Sequence, residues 1–150
     1  MGKVENWLVE DAKKTGLNIE GFEHEITRKF MTHVLDEHGD TKKEAARGQI
    51  AINVKDFEKI LDIIQSPDYV LFGGKYTKGD TKGNDFIVYA KEMTDGTTLY
   101  YEAVLPGKRN KKLRGKTMYK RKNIMDKQKF LNIVSNTDGV DVSNAEIFKK

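Results

Sequence analysis

Three histidines, His24, His33 and His38, fall within fifteen residues. Imidazole is the side chain whose ordinary pKa lets it take or give a proton near neutral pH. On a helix their spacings of nine and five residues correspond to rotations of about 180° and 140°, so the three cannot converge on one metal ion. The chain has no cysteine, which removes thiolate ligands, disulfides and cysteine nucleophiles together. No serine sits in a nucleophile elbow, and the glycines at 73–74 and 79–83 match no phosphate-cradling loop; they read as a strand kink and a turn. The chemistry left is proton transfer by histidine, with no metal and no cofactor expected.

The second candidate feature is charge. The net charge is +4, but residues 108–129 hold eleven Lys or Arg against one acid, Asp126, which makes that window +10 and the remainder −6. Such a concentration attracts a polyanion, because Lys and Arg contacts to phosphates supply affinity that is independent of base sequence. The same run also reads as a solvated basic hairpin that aids solubility. Tyr76, Tyr89, Tyr100 and Tyr119 lie on expected strands, where they can stack unpaired bases or pack across strands.

Elements of known period must hold these groups. Residues 4–14 read as a short amphipathic helix. Residues 24–37 place Ile26, Phe30, His33, Val34 and Glu37 at steps of three or four, a helix that Gly39 ends. A polar turn at 39–43 follows. Asn53 caps a second helix, with Asp56 in its first turn and Phe57, Ile60, Leu61 and Ile64 as its buried face, stopped by Pro67-Asp68. From Tyr69 the period falls to two: strands are expected at 69–77, 85–93, 98–105 and 112–121, joined by turns at 79–84, 94–96 and 106–110. Residues 122–135 have a helical look through Ile124, Met125, Leu131 and Val134, and 136–150 read as a polar tail. The expected fold is α+β, with N-terminal helices packed on a roughly four-stranded antiparallel sheet whose other face stays open for a ligand. A chain of 150 residues without a long linker reads as one domain, and its short apolar runs predict neither a membrane span nor a signal peptide, hence a cytoplasmic site of action.

Several short signatures occur in order: His24-Glu25-Ile26-Thr27, then 33–40 from His33 to Asp40, then Glu44-Ala45-Ala46-Arg47-Gly48-Gln49-Ile50-Ala51-Ile52, then Asp56-Phe57 and Ile63-Ile64 before Pro67-Asp68. Later come Ile87-Val88-Tyr89-Ala90-Lys91, Leu99-Tyr100-Tyr101-Glu102 and Lys116-Thr117-Met118-Tyr119-Lys120. Together, over about residues 20–122, they resemble the phage-type nuclease domains of the barnase, EndoU, colicin and RelE-like superfamily. The resemblance implies helices followed by an antiparallel sheet of about four strands, and metal-independent ribonuclease activity in toxins of phage and mobile elements. It also implies a helix histidine, strand basic residues and a last-strand hydroxyl around the scissile phosphate. Matched by position, these are His33 or His38, Lys91, and Thr117 with Tyr119 and Lys120.

RNA can cleave itself when its 2′-hydroxyl attacks the adjacent phosphorus, so a protein need supply only a base, an acid and charge stabilisation of the phosphorane. The expected catalytic set is His33, His38, Lys91, Thr117 and Tyr119. Lys75, Lys111, Lys112, Arg114, Lys120 and Arg121 are expected to hold the substrate. His33, on the face of Ile26 and Phe30, is expected to meet the strand residues ahead of His38. The expected partner is RNA, with tRNA among the targets, and any immunity or antitoxin protein should be acidic. The other function class is a non-catalytic nucleic-acid-binding or phage-assembly module on the same fold.

Overall fold

The computed structural model describes residues 2–105, 110–122 and 126–150. The expected turn at 106–110 and the contribution of Ile124 and Met125 to a helix lie wholly or largely outside those residues. The period-2 region forms the meander read from the sequence: β2 (Tyr69–Tyr76), β3 (Asp85–Glu92), β4 (Thr98–Val104) and β5 (Lys112–Arg121) pair antiparallel in succession. The sheet is wider than four strands. β1 (Glu23–Glu25) adds in parallel to the outer edge of β5, while β6 (Val140–Asp141) and β7 (Glu146–Lys149) both add to β2. These additions cover edges that would otherwise present unpaired backbone, and at two to four residues they are too short to show a hydrophobic period.

Helix α1 (Asn6–Lys14) sits within its expected span. Helix α2 (Arg28–His38) starts four residues later than its stripe suggested, because Thr27 caps it by accepting from the Phe30 N–H at 3.1 Å. His24 consequently lies on β1, buried edge-on to Tyr89 at 6.2 Å, and not on the helix. Asp40 takes the Lys42 and Lys43 N–H groups and starts α3 (Thr41–Ala46) where a plain turn was expected. Asn53 and Asp56 do form a reciprocal capping box, but over a 3₁₀ segment, Val54–Lys59, that leads into α4 (Ile60–Gln65). The tighter first turns rotate the helix that follows, so Ile63 is buried and the expected core residue Leu61 is 49% exposed.

Alternation along the strands sends side chains to two cores. Ile87, Tyr89, Tyr101 and Met118 pack with Leu8, Phe30, Val34 and Ile63 from the N-terminal helices. Leu71, Val88, Tyr100 and Tyr119 pack on the other side with Phe130 and Val134 of helix α5 (Lys127–Ser135). The face expected to be open is therefore largely covered, and what remains of it is a cleft beside α5.

Two irregularities aim side chains into that cleft. Gly73-Gly74 is the bulge of β2, with the Phe86 ring lying over Gly74 where a Cβ would stand. The second bulge is in β5: Glu102 pairs with Thr117 and Ala103 with Gly115, leaving Lys116 as the extra residue. A Cβ at Gly115 would stand 2.9 Å from the Tyr101 hydroxyl and 3.0 Å from the Phe30 ring. Only glycine allows α2 to lie this close to β5, three residues before its His33.

Candidate active site

Strand parity decides which residues of β5 can act together. Thr117, Tyr119 and Arg121 stand two apart and share the face of Tyr100 and Glu102, whereas Met118 and Lys120 point to the helical side. Lys116 would normally oppose Thr117, but as the bulged residue it is re-aimed and lines the same cleft. The cleft encloses about 860 Å³. Its walls are His33, Glu37 and His38 from α2, Arg47 and Gln49 after α3, and Tyr76 and Glu102 from the sheet. Thr117, Tyr119 and Arg121 complete that side.

His38 is fixed on both sides. Its Nδ1 lies 3.0 Å from Glu44 Oε2, and its ring lies 5.9 Å from that of Tyr119. Glu44 is fully buried, and its other oxygen accepts from Arg47 Nη1 at 2.9 Å, so one carboxylate positions two cleft residues. A carboxylate only accepts, which assigns the proton to Nδ1 and leaves Nε2 as the ring's other working atom. The backbone N–H of Ile52, bonded to the His38 carbonyl at 2.7 Å, ties down the helix end. His33 is exposed at the cleft rim, since the later helix start gives the sheet-facing stripe to Phe30 and Val34. What burial it has lowers its pKa below the ordinary imidazole value, against the opposing pull of Glu37.

In the sequence Glu102 is one letter of a strand signature, yet it is the buried carboxyl of the cleft. Its Oε2 accepts from the Tyr76 hydroxyl at 2.6 Å and its Oε1 has no hydrogen-bond partner among the described residues. Burial raises its pKa against the opposing effects of Tyr76 and Lys116. Burial likewise keeps Tyr76 and Tyr119 protonated well beyond the ordinary phenol range, so both remain donors. Four more buried side-chain atoms of the lining have no partner among the described residues: Thr117 Oγ1, Tyr119 Oη, Gln49 Oε1 and Arg121 Nε. Buried polar atoms are nearly always paired, so these five are groups that water or a polar ligand in the cleft can pair.

The cations sort differently from the sequence expectation. Lys116 and Arg121 line the cleft with no acidic partner among the described residues. The other expected cations do not line it. Lys75 pairs with Asp85 at 2.7 Å, Lys112 with Glu23 at 3.2 Å and Arg114 with Glu25 at 2.6 Å. Lys120 is buried on the helical side, 2.9 Å from Asp56. Lys91 donates to the Ser66 carbonyl at 2.5 Å, and Lys111 borders a separate hollow near Gly16 and Asp85. Of the expected catalytic set, the fold thus brings together His33, His38, Thr117 and Tyr119, and leaves Lys91 out. Glu102, Lys116, Glu44 and Arg47 are the members that motif reading missed. The signal for Glu102 was available: it is the one acid in Thr98–Val104, a strand that is buried throughout.

Imidazoles, a buried carboxyl, cations and hydroxyl donors thus share one cleft on the sheet of an α+β fold. A model of the family described as phage-Barnase-EndoU-ColicinE5/D-RelE like nuclease3 matches residues 2–128, and the chain belongs to that nuclease family. The match takes in α1, which the resemblance over 20–122 had left out, and ends at the start of α5. No curated protein and no solved structure gives a significant match. Among the described residues no helix is long and apolar enough to cross a membrane.

Proposed function

We propose that the chain is a metal-independent endoribonuclease that cleaves RNA by attack of the 2′-hydroxyl, leaving a 2′,3′-cyclic phosphate and a 5′-hydroxyl. The observation that carries this reading is the pairing in one cleft of Glu102, a buried carboxyl with a raised pKa and a free oxygen, with His38, an imidazole oriented by Glu44. A base is most effective when its pKa lies near the working pH, and burial moves Glu102 toward that range. Glu102 takes the 2′-hydroxyl proton through Oε1, and His38 Nε2 gives a proton to the departing 5′-oxygen. Lys116 and Arg121 hold the non-bridging oxygens, and Thr117 and Tyr119 donate to the charge that develops on them. Because the nucleophile belongs to RNA and the cleft supplies base, acid and charge from its own side chains, no metal is required. A toxin role, with a cytoplasmic target and an acidic neutralising protein, follows from the same reading.

The test is incubation of purified protein with RNA in EDTA, with end-group analysis of the fragments. Cleavage to 5′-hydroxyl ends that Glu102→Gln abolishes supports the proposal. Intact RNA bound in a salt-sensitive way would favour the non-catalytic binding module.

A further inference from the structure

The cleft has two unlike walls. One carries His33, His38, Arg47, Lys116 and Arg121. The other comes from the end of α5 and the start of β6, residues 133–140, which lie beyond the stretch matched to the nuclease family. That second wall offers little to a phosphate. Its one carboxylate, Asp138, is neutralised by an ion pair with Lys78, and it includes the C-terminal end of α5, whose dipole disfavours anions. What it does present is a pair of aliphatic side chains, Ile133 and Val140, beside the amide of Asn136 and the hydroxyl of Thr137. Asn136 has no side-chain hydrogen-bond partner among the described residues, while the Thr137 hydroxyl makes only a 3.4 Å contact to the Ile133 carbonyl. Apolar faces with polar edges are the chemistry of a nucleobase, and extruded bases are read by apolar packing on the ring and hydrogen bonds to its edge.

We propose that the α5–β6 wall is a nucleobase subsite, in which Ile133 and Val140 pack on the base and Asn136 and Thr137 read its edge, giving the enzyme a base preference next to the cleaved bond. The proposal rests on the ribonuclease reading. The wall is held in register with the reacting groups. Val140 pairs with Tyr76, the residue that holds Glu102, and the Thr77 N–H bonds the Gly139 carbonyl at 2.9 Å. Gly139, at φ +80°, has no Cβ to displace the Lys78 side chain, whose Cε would stand 2.9 Å from it, so Lys78 can lie along the turn and reach Asp138. A strand entering the cleft is thereby oriented, phosphate toward Lys116 and Arg121 and base toward Asn136.

The experiment has two readouts on the full chain. Cleavage of four short RNAs that differ only in the base beside the cut should show one base favoured by about 5- to 150-fold in kcat/KM, the range of a good hydrogen-bonded base contact. Asn136→Ala with Thr137→Ala should pull the favoured substrate down toward the others and so flatten the preference. Equal cleavage of all four by the parent, or a uniform loss across the panel in the variant, would overturn the subsite. Binding of the four 3′-mononucleotides, followed by NMR, reads the same wall without catalysis. Base-dependent binding that the double variant loses, in a protein that cuts no RNA, would keep the subsite and sink the nuclease reading.

Discussion

The Tyr76 hydroxyl reaches Glu102 at 2.6 Å across the strand that lies between them, so β2 and β4 are joined over β3 by one buried hydrogen bond. It leaves Glu102 Oε1 buried with no partner among the described residues, and it fixes the carboxyl plane. Glu102→Gln keeps an acceptor for Tyr76 and removes the base. Cleavage should fall by about 10² to 10⁴, the usual worth of general base catalysis. Stability should respond in the opposite sense. The folded state binds the Glu102 proton more tightly than the unfolded chain does, so the parent loses stability as pH rises from the ordinary glutamate pKa through the raised one. Thermal melts across that interval should show the Gln variant free of this loss. A variant that melts well below the parent at high pH would contradict the burial argument.

In the proposed mechanism Glu44 acts through His38, whose Nδ1 it holds at 3.0 Å. His38→Ala should lower cleavage by about 10² to 10⁴ and Glu44→Gln by less, because the amide no longer fixes which ring nitrogen carries the proton. A double-mutant cycle distinguishes this from a merely structural role. With His38 already removed, Glu44→Gln should cost cleavage little further, whereas additive losses would show that Glu44 does not work through the ring. Thr117→Val, which removes one donor to the phosphorane, should cost about tenfold to a thousandfold in rate.

Cations that already have acidic partners contribute little to holding a polyanion. Lys116→Gln and Arg121→Gln should weaken RNA binding and flatten its dependence on salt, each lowering the slope of log K against log salt by about one. Lys112→Gln with Arg114→Gln should leave that slope nearly unchanged, since Glu23 and Glu25 neutralise the pair. Filter binding of labelled RNA over a salt series reads both. Lys120→Ala belongs to stability: it leaves the buried Asp56 carboxylate with only Lys59 and the Asn53 N–H, and should cost about 1.5–3 kcal/mol in denaturant unfolding.

His24 sets an acid limit on folding. Burial lowers its pKa to about 4, from 6.5, so the unfolded chain binds its proton more readily between those values. Stability present above pH 6.5 should be lost as pH falls toward 4, a contribution on the order of 3 kcal/mol at one pH unit per 1.36 kcal/mol. Unfolding at pH 7 and at pH 4.5, in the parent and in His24→Gln, checks it; an equal acid slope in the two would place the effect elsewhere.

Much of the architecture was legible because it is periodic. The four central strands, the Asn53–Asp56 cap and the Phe30–Val34 stripe all follow from spacing of three, four or two. The edge strands were not, since Glu23–Glu25 and Val140–Asp141 are shorter than any period they could display. In the site, His33, His38, Thr117, Tyr119 and Arg121 were readable from residue type and signature. Lys120 has the expected charge but stands an odd step from Tyr119, and parity alone places it on the opposite face. Lys116 depended on a bulge, and the neutralising partners of Lys112 and Arg114 on a parallel strand contributed 89 residues earlier in the chain. Neither is written in local sequence. Glu102 sat in plain view as a carboxyl in a buried strand, but only its link to Tyr76 shows why a charge-bearing group is tolerated there.

Cleavage of a defined RNA by purified protein in EDTA, with fragment ends identified by mass and with Glu102→Gln and His38→Ala run alongside, separates catalysis by the cleft's own side chains from metal-dependent cleavage. The parent should give 5′-hydroxyl and 2′,3′-cyclic phosphate ends, with losses of about 10² or more in both folded variants. Parent-level cleavage by either folded variant, ends bearing a 5′-phosphate, or activity that appears only when a divalent metal is restored would contradict the proposed mechanism.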